Sequence, residues 1–234
     1  MSTPASPQPQ NHAVAPAWHT IATVFIMLAI SGLSYYSRGL APVGRHNQIA
    51  SYVEAIIMEW LVFGFIWFGL RLRKQRMRVL LGEDWGGARQ ILRDIAIGVL
   101  FLIAANIVLG LISHLLKAAP NAAIQGILPH TPAQIAVYFL LTVTAGICEE
   151  IIFRGYLQRQ FSFFFKNVVV GVMLQGVIFG ASHGYQGPKY ILIIVVYGVL
   201  FGVLAQWRHS LRPGMIAHFL QDLITGVLAG RFLR

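Results

Sequence analysis

The sequence has little charge. Only 11% of its 234 residues are Asp, Glu, Lys or Arg, less than half of the roughly 25% that soluble domains carry. Hydrophobic residues make up 56% of the chain, and its mean hydropathy is +0.66. Such a chain cannot cover its whole surface with polar side chains, which excludes a water-soluble globular domain and predicts a membrane protein.

Acidic residues and cysteine are scarce. Eight Asp and Glu stand against 18 Lys and Arg, which gives a formal net charge of +10. Much of the positive charge lies in one block, from Arg71 to Arg78, directly after an apolar run. This is the juxtamembrane pattern of the positive-inside rule, so we predict no nucleic-acid partner. The single cysteine, Cys148, excludes an intrachain disulfide.

The sequence is rich instead in apolar runs of about 20 residues, the length that crosses ~30 Å of hydrocarbon. Each run must be helical, because the bilayer core offers backbone groups no partners outside the segment. The expected fold class is an all-α, polytopic transmembrane helical bundle in a lipid bilayer. The seven predicted spans are 18–36, 51–70, 91–116, 132–157, 168–184, 190–207 and 213–233.

Three segments are expected along the chain. Residues 1–17 lack the basic region of a signal peptide and are predicted to be a disordered tail. Residues 18–131 form the N-terminal transmembrane helices, and residues 132–234 form a transmembrane core. If the 71–93 connection is cytoplasmic, twelve of the 18 Lys and Arg lie inside. This predicts a cytoplasmic N-terminus, in the plasma (inner) membrane.

Small residues recur at a spacing of four in the later spans. Such pairs let helix backbones approach closely in lipid, although some arise by chance in a chain with 23 glycines. We expect these glycines to pack helices and to have no chemical role. The pairs are Gly176 and Gly180, Gly198 and Gly202, and Gly226 and Gly230.

The densest group of ionisable residues within a span is Glu149, Glu150 and Arg154. Burying such a group costs about 2.5–3.5 kcal/mol on insertion scales, so a cluster indicates function. Adjacent helical residues point about 100° apart, so the two acids face different directions. Glu150 can pair with Arg154 four residues later, whereas Glu149 remains available as a general base or ligand. Alternatively, both acids cap a helix end or lie at headgroup level.

Two further pairs with a spacing of four lie in later spans. Phe179 and His183 share a face of the fifth span, and His218 and Asp222 share a face of the seventh. Each pair alone can also be packed, interfacial or hydrogen-bonded structure. Together with Glu149 they supply a base, two imidazoles and a second carboxylate from three spans, which is how bundles build a site. These groups suit hydrolysis by an activated water.

The three motifs, Glu-Glu-x-x-x-Arg, Phe-x-x-x-His and His-x-x-x-Asp, resemble those of the CAAX protease and bacteriocin-processing (CPBP, or Abi) family of intramembrane endopeptidases. The resemblance covers about residues 132–233. It implies that Glu149 and His183 activate a water, with Glu150 and Arg154 as the supporting pair.

The resemblance assigns oxyanion stabilisation to His218 and Asp222. The family's third motif often ends in Asn, and an ionised Asp222 would repel an oxyanion, so we expect it to orient His218 or to bind a metal. A divalent metal such as Zn²⁺ is an open alternative, with Glu149, His183 and His218 as its ligands. A His-Glu-x-x-His zinc protease signature is missing from the sequence.

If His183 and His218 belong to one site, the fifth helix must be broken, because full spans would place the two residues near opposite membrane faces. Residues 184–188, with two glycines and a proline, are the expected break. A thiol nucleophile at Cys148 is disfavoured, because this side chain points away from Glu149. Glu54 and Glu59 in the second span receive no role.

The predicted function is therefore an intramembrane endopeptidase that hydrolyses a peptide bond of a membrane-anchored protein or peptide. The resemblance leaves open whether that substrate is prenylated. The alternatives are a non-catalytic membrane scaffold or bacteriocin-immunity protein, and a small transporter. Against the transporter, the unequal spans show no evident inverted repeat.

Overall fold

The computed structural model describes residues 13–40, 47–82 and 86–229. Over these ranges the chain is helical apart from short connections and one isolated β-bridge between Gly82 and Ser210, which confirms the all-α fold class. The helices are α1 (Ala17–Leu40), α2 (Gln48–Leu72), α3 (Arg78–Leu81), α4 (Ala88–Leu115), α5 (Ala122–Gln125), α6 (Pro132–Glu149), α7 (Gln158–Phe164), α8 (Val168–Ser182), α9 (Pro188–Arg208) and α10 (Arg212–Ile224).

Five continuous helical segments are long and apolar enough to cross a membrane: Ala17–Tyr36, Gln48–Leu72, Ala88–Leu115, Pro132–Phe164 and Pro188–Arg208. Their outward faces expose large apolar side chains such as Phe25, Ile107 and Leu140, as expected of lipid-facing surfaces. The chain is thus a polytopic helical bundle and an integral membrane protein. A helix lies at each of the seven predicted spans, but the number of spans that cross fully stays a prediction.

The segment Pro132–Phe164 is one continuous helix with a wider turn in its middle. It begins at a capping box in which the Thr131 side chain accepts from the Gln134 backbone N–H and the Gln134 side chain reaches back. Residues Glu150–Leu157 then form a π-helix, and all eight are buried. π-Helices are rare in proteins, and those that occur often lie at functional sites. This one carries most of the first motif.

The fifth predicted span ends early. α8 has 15 residues and stops at Ser182, short of the ~20 that a full span needs. A 3₁₀ turn, Gly184–Gln186, follows, and α9 begins at Pro188. Gly187 has φ +89°, a conformation that glycine adopts without a steric penalty. The helix break that the sequence interpretation required is therefore present.

Glycines let α10 lie close to two other helices. A Cβ on Gly98 of α4 would be 2.9 Å from the carbonyl oxygen of Pro213, and one on Gly146 of α6 would be 3.0 Å from that of Met215. Neither position has room for a larger residue. α10 is therefore held firmly against α4 and α6.

The predicted glycine pairs contribute to packing in a similar way. A Cβ on Gly198 would be 2.9 Å from the Cα of Gly176, and one on Gly180 would be 2.7 Å from the Ile191 carbonyl oxygen, so α8 and α9 approach closely. Gly202 lies against Gln175 and Gln158, and Gly226 lies against the Tyr138 ring. Gly230 lies outside the described residues.

The last part of the predicted tail is packed against the bundle. Val14 and Ala15 are buried. The Val14 N–H donates to Gln160 Oε1 at 2.9 Å, and Gln160 Nε2 donates to the Ala15 carbonyl oxygen at 3.0 Å. Residues 1–12 lie outside the described residues. The division at residues 17 and 131 stays a prediction.

Candidate active site

The first motif forms a buried ion pair. Arg154 Nη1 lies 3.0 Å from Glu150 Oε1, and both side chains are fully buried. The guanidinium also lies over the Phe179 ring, 4.3 Å from its centre, where a desolvated cation–π contact is favourable. Gly214 of α10 faces the same carboxylate, and a Cβ there would be 2.9 Å from Glu150 Oε2. The predicted partner of Glu150 is thus present, and α10 closes over the pair.

The third motif meets the first at His218. Its Nδ1 lies 3.1 Å from Glu150 Oε1, and its Nε2 lies 3.6 Å from Glu149 Oε2 and 3.7 Å from Asp222 Oδ2. One buried imidazole therefore faces three carboxylates from two helices. Both ring nitrogens point at oxygens, and both can donate only in the imidazolium form.

The two adjacent glutamates differ as predicted. The Glu150 side chain is fully buried, whereas that of Glu149 is 17% exposed. Glu149 Oε2 has no hydrogen-bond partner among the described residues. The Asp222 side chain is 34% exposed. The Glu150–Arg154 pair is thus sealed inside the bundle, while Glu149 and Asp222 line its accessible side.

His183 lies next to this group at the end of α8. Its Nδ1 is 2.9 Å from the Phe179 carbonyl oxygen. Because a carbonyl only accepts, Nδ1 carries the proton in the neutral ring, and Nε2 keeps its lone pair. The Phe179 ring centre is 4.9 Å from that of His183 and 6.1 Å from that of His218. The two histidines therefore flank one aromatic side chain and do not lie at opposite ends of the bundle.

The second motif is nevertheless less tightly joined than the other two. In the part of the chain that the structure describes, no hydrogen bond or ion pair links His183 to Glu149 or His218. His183 does interact electrostatically with Asp222. The second motif therefore lies beside the first without a direct hydrogen bond to it among the described residues.

A zinc site would need at least three ligands about 2 Å from one point. Among residues 13–40, 47–82 and 86–229, no group of three or more His, Cys, Asp or Glu is arranged to hold a metal ion. His218 Nδ1 faces Glu150, and His183 Nδ1 faces a carbonyl oxygen. The side chains of Glu149, His183 and His218 are therefore not arranged to hold a metal ion.

Glu59 is a site neighbour that the sequence interpretation missed. It lies on α2, which packs against α6, and it interacts electrostatically with Glu149 and Asp222. Its Oε2 is buried and lacks a hydrogen-bond partner among the residues described. Glu54, five residues earlier, is exposed. Sequence spacing places the two acids on different faces but does not show which face meets α6.

Tyr197 on α9 was also missed. Its ring centre lies 6.3 Å from that of His218. A tyrosine in an apolar span has no sequence feature that separates it from a packing residue. Cys148, by contrast, is fully buried in the apolar core, as befits a side chain to which we assign no catalytic role.

Comparison with known proteins finds one family in the region that holds these motifs. Residues 131–224 match the family described as type II CAAX prenyl endopeptidase Rce1-like. The uncharacterized protein YpbD of Bacillus subtilis (strain 168) is 31% identical over 86 residues, which are 36% of this chain and 41% of that protein. No solved structure matches the chain. The family match runs from the capping box of α6 to the end of α10, the part of the chain that carries all three motifs.

Proposed function

We propose that the protein is an intramembrane endopeptidase that hydrolyses a peptide bond of a membrane-anchored protein or peptide. One observation carries the proposal: carboxylates from the first and third motifs converge on the buried imidazole of His218. A bundle that only needed stability would not gather three carboxylates around one imidazole, since each is costly to bury. The family match supports the same reaction class.

Glu149 is the proposed general base. Its unpaired, partly exposed carboxylate takes a proton from a water whose oxygen attacks the peptide carbonyl carbon. His183 Nε2, left with a lone pair, accepts a hydrogen bond from that water and orients it. When the carbon–nitrogen bond breaks, Glu149 returns the proton to the leaving amine. The products are a carboxylate and an amine, and the enzyme is regenerated.

His218 is the proposed electrostatic partner of the tetrahedral intermediate. Its imidazolium supplies positive charge beside the developing oxyanion. Glu150 accepts from its Nδ1 at 3.1 Å and is itself held by Arg154, so these two residues fix the ring orientation. Asp222, 3.7 Å from Nε2, orients the same ring. These roles follow the sequence expectation that Asp222 acts through His218.

The substrate is proposed to reach the site from the bilayer. The helices around the site expose apolar side chains to lipid, and a substrate with its own lipid or membrane anchor would be concentrated in that phase. Substrates anchored by a C-terminal prenyl group agree with the family's description. The plasma membrane and a cytoplasmic N-terminus remain part of the proposal.

The test uses purified protein in lipid vesicles and release of a fluorescent peptide from a lipid-anchored substrate. Glu149→Gln keeps the side-chain shape but removes the base, so turnover should fall about 10²–10⁴-fold. Glu54→Gln, an exposed acid on α2, is the matched control and should leave turnover unchanged. Full turnover in Glu149→Gln would contradict the mechanism. An unaltered immunity phenotype in that variant would favour the scaffold.

A further inference from the structure

Tyr197 lies beside the site. Of the phenolic hydroxyls near the site among the described residues, its hydroxyl is the one that is both buried and without a hydrogen-bond partner. It lies on α9, which carries none of the three motifs. The residue is 8% exposed, and its hydroxyl oxygen is buried without a hydrogen-bond partner in the described ranges. Most buried polar groups are satisfied, and leaving one unpaired costs free energy. A hydroxyl in this state is suited to receive a ligand.

The ring of Tyr197 is firmly placed. It packs edge-on against Phe201, with ring centres 4.5 Å apart, and lies 6.3 Å from the His218 ring. The residue interacts electrostatically with Asp222, Glu150, Arg154 and Glu149. The hydroxyl therefore adjoins the same volume as the carboxylates of the site, and its position is fixed by aromatic packing.

The site needs a donor of this kind. Ionised Glu149, Glu150 and Asp222 can only accept hydrogen bonds. Arg154 is engaged with Glu150 at 3.0 Å, and both His218 nitrogens face carboxylates. A peptide carbonyl that becomes an oxyanion gains most from a preorganised donor in a dry site. A neutral phenol supplies one without adding a charge.

We infer that Tyr197 is a further catalytic residue, whose hydroxyl donates a hydrogen bond to the substrate carbonyl oxygen as it becomes an oxyanion. The inference rests on the proposed endopeptidase function. It assigns to α9 a direct part in the reaction, in addition to its packing against α8. The hydroxyl proton stays on Tyr197 throughout, so the proton balance of the reaction is unchanged.

The test is Tyr197→Phe, which removes the hydroxyl and keeps the ring. The control is Tyr190→Phe on the same helix, whose hydroxyl donates to the Ala119 carbonyl oxygen at 2.7 Å. In the vesicle assay, kcat of Tyr197→Phe should fall about 10²–10³-fold, the effect of losing an oxyanion donor, with KM little changed. Tyr190→Phe should match the wild type.

A second measurement separates catalysis from packing. A substrate-like phosphonate peptide carries a tetrahedral, negatively charged group in place of the scissile bond, so its inhibition constant should rise in Tyr197→Phe in parallel with the loss of kcat/KM. A purely structural role would lower thermal stability and leave that inhibition constant unchanged, which would overturn the inference.

The outcomes also separate the two proposals. If the wild-type protein releases no peptide, the proposed function and this inference both fail. If the wild type is active and Tyr197→Phe is equally active, the inference alone fails.

Discussion

Two buried charged clusters lie along α10, and they differ in the balance of acidic and basic groups. In the first, Asp94 of α4 contacts Arg212 Nε at 2.9 Å and Arg208 Nη2 at 3.5 Å, through separate carboxylate oxygens. The second is centred on His218, six residues further along and about 9 Å along the helix axis. We call these the Asp94 cluster and the His218 cluster.

Among the described residues, the Asp94 cluster brings two arginines to one acid, and it joins α4, α9 and α10. The His218 cluster has the opposite balance, because Glu149, Glu150 and Asp222 all face one imidazole. Glu59 adds a fourth carboxylate nearby.

The ion pairs follow the same division. Both Asp94 oxygens lie in ion pairs with arginines, whereas Glu149, Glu150 and Asp222 share one imidazole and one guanidinium. Among the described residues, the same residue types thus form a structural joint where each carboxylate oxygen meets an arginine. Where carboxylates outnumber their basic partners and are partly exposed, they form a site suited to chemistry.

The largest effect on stability is expected inside the His218 cluster. Arg154→Ala leaves Glu150 as a buried carboxylate without its guanidinium, at a cost of about 3–5 kcal/mol. Arg154→Lys keeps the charge but loses the planar group and should lie between Ala and wild type. Thermal unfolding in detergent measures both. Wild-type melting in both variants would remove the structural role assigned to Arg154.

A smaller loss is expected in the Asp94 cluster. Asp94→Asn removes the negative charge that both arginines contact, but the Arg208 side chain is 15% exposed and water can solvate part of its charge. We expect a loss of about 1–3 kcal/mol. Turnover of the folded protein should stay near the wild-type value, because Asp94 pairs with Arg208 and Arg212, neither of which belongs to the candidate site. If Asp94→Asn lost turnover at an unchanged melting temperature, the Asp94 cluster would have a role in the chemistry and not in stability.

The smallest effect is expected at Cys148, which directly precedes Glu149 in sequence but belongs to neither cluster. Cys148→Ala replaces a buried thiol with a slightly smaller apolar side chain, so turnover should change little. The vesicle assay measures it, with Glu149→Gln as the inactive reference. Loss of activity in Cys148→Ala alone would indicate a thiol nucleophile and would overturn the role of Glu149.

Local pattern was sufficient to predict one half of the site. The spacing of Glu150 and Arg154 predicted their ion pair, and the glycines and proline of 184–188 predicted a break after the fifth span. The helix itself ends earlier than predicted, at Ser182, so that His183 lies just outside it. Both depend on neighbours in sequence. The pairing of His218 with Asp222 is present only as a 3.7 Å contact, because His218 also reaches across to the first motif.

The rest depended on how helices pack against one another. Glu59 and Glu54 look alike in sequence, and only the position of α6 beside α2 separates the site neighbour from the exposed acid. The sequence does not distinguish Tyr197 from the other aromatic residues. Its place beside the site follows from the packing of α9 against α10. No local residue pattern predicts the π-helix at Glu150–Leu157.

We propose that the His218 cluster performs the chemistry while the Asp94 cluster stabilises the fold. The most direct measurement compares turnover and melting temperature of Glu149→Gln and Asp94→Asn in the same lipid preparation. We predict that turnover of Glu149→Gln falls at least about 10²-fold. Its melting temperature should equal or exceed that of the wild type, because a neutral amide costs less to bury than a carboxylate. Asp94→Asn should melt earlier and keep its turnover. Equal losses of stability in both, or full turnover in Glu149→Gln, would contradict this proposal.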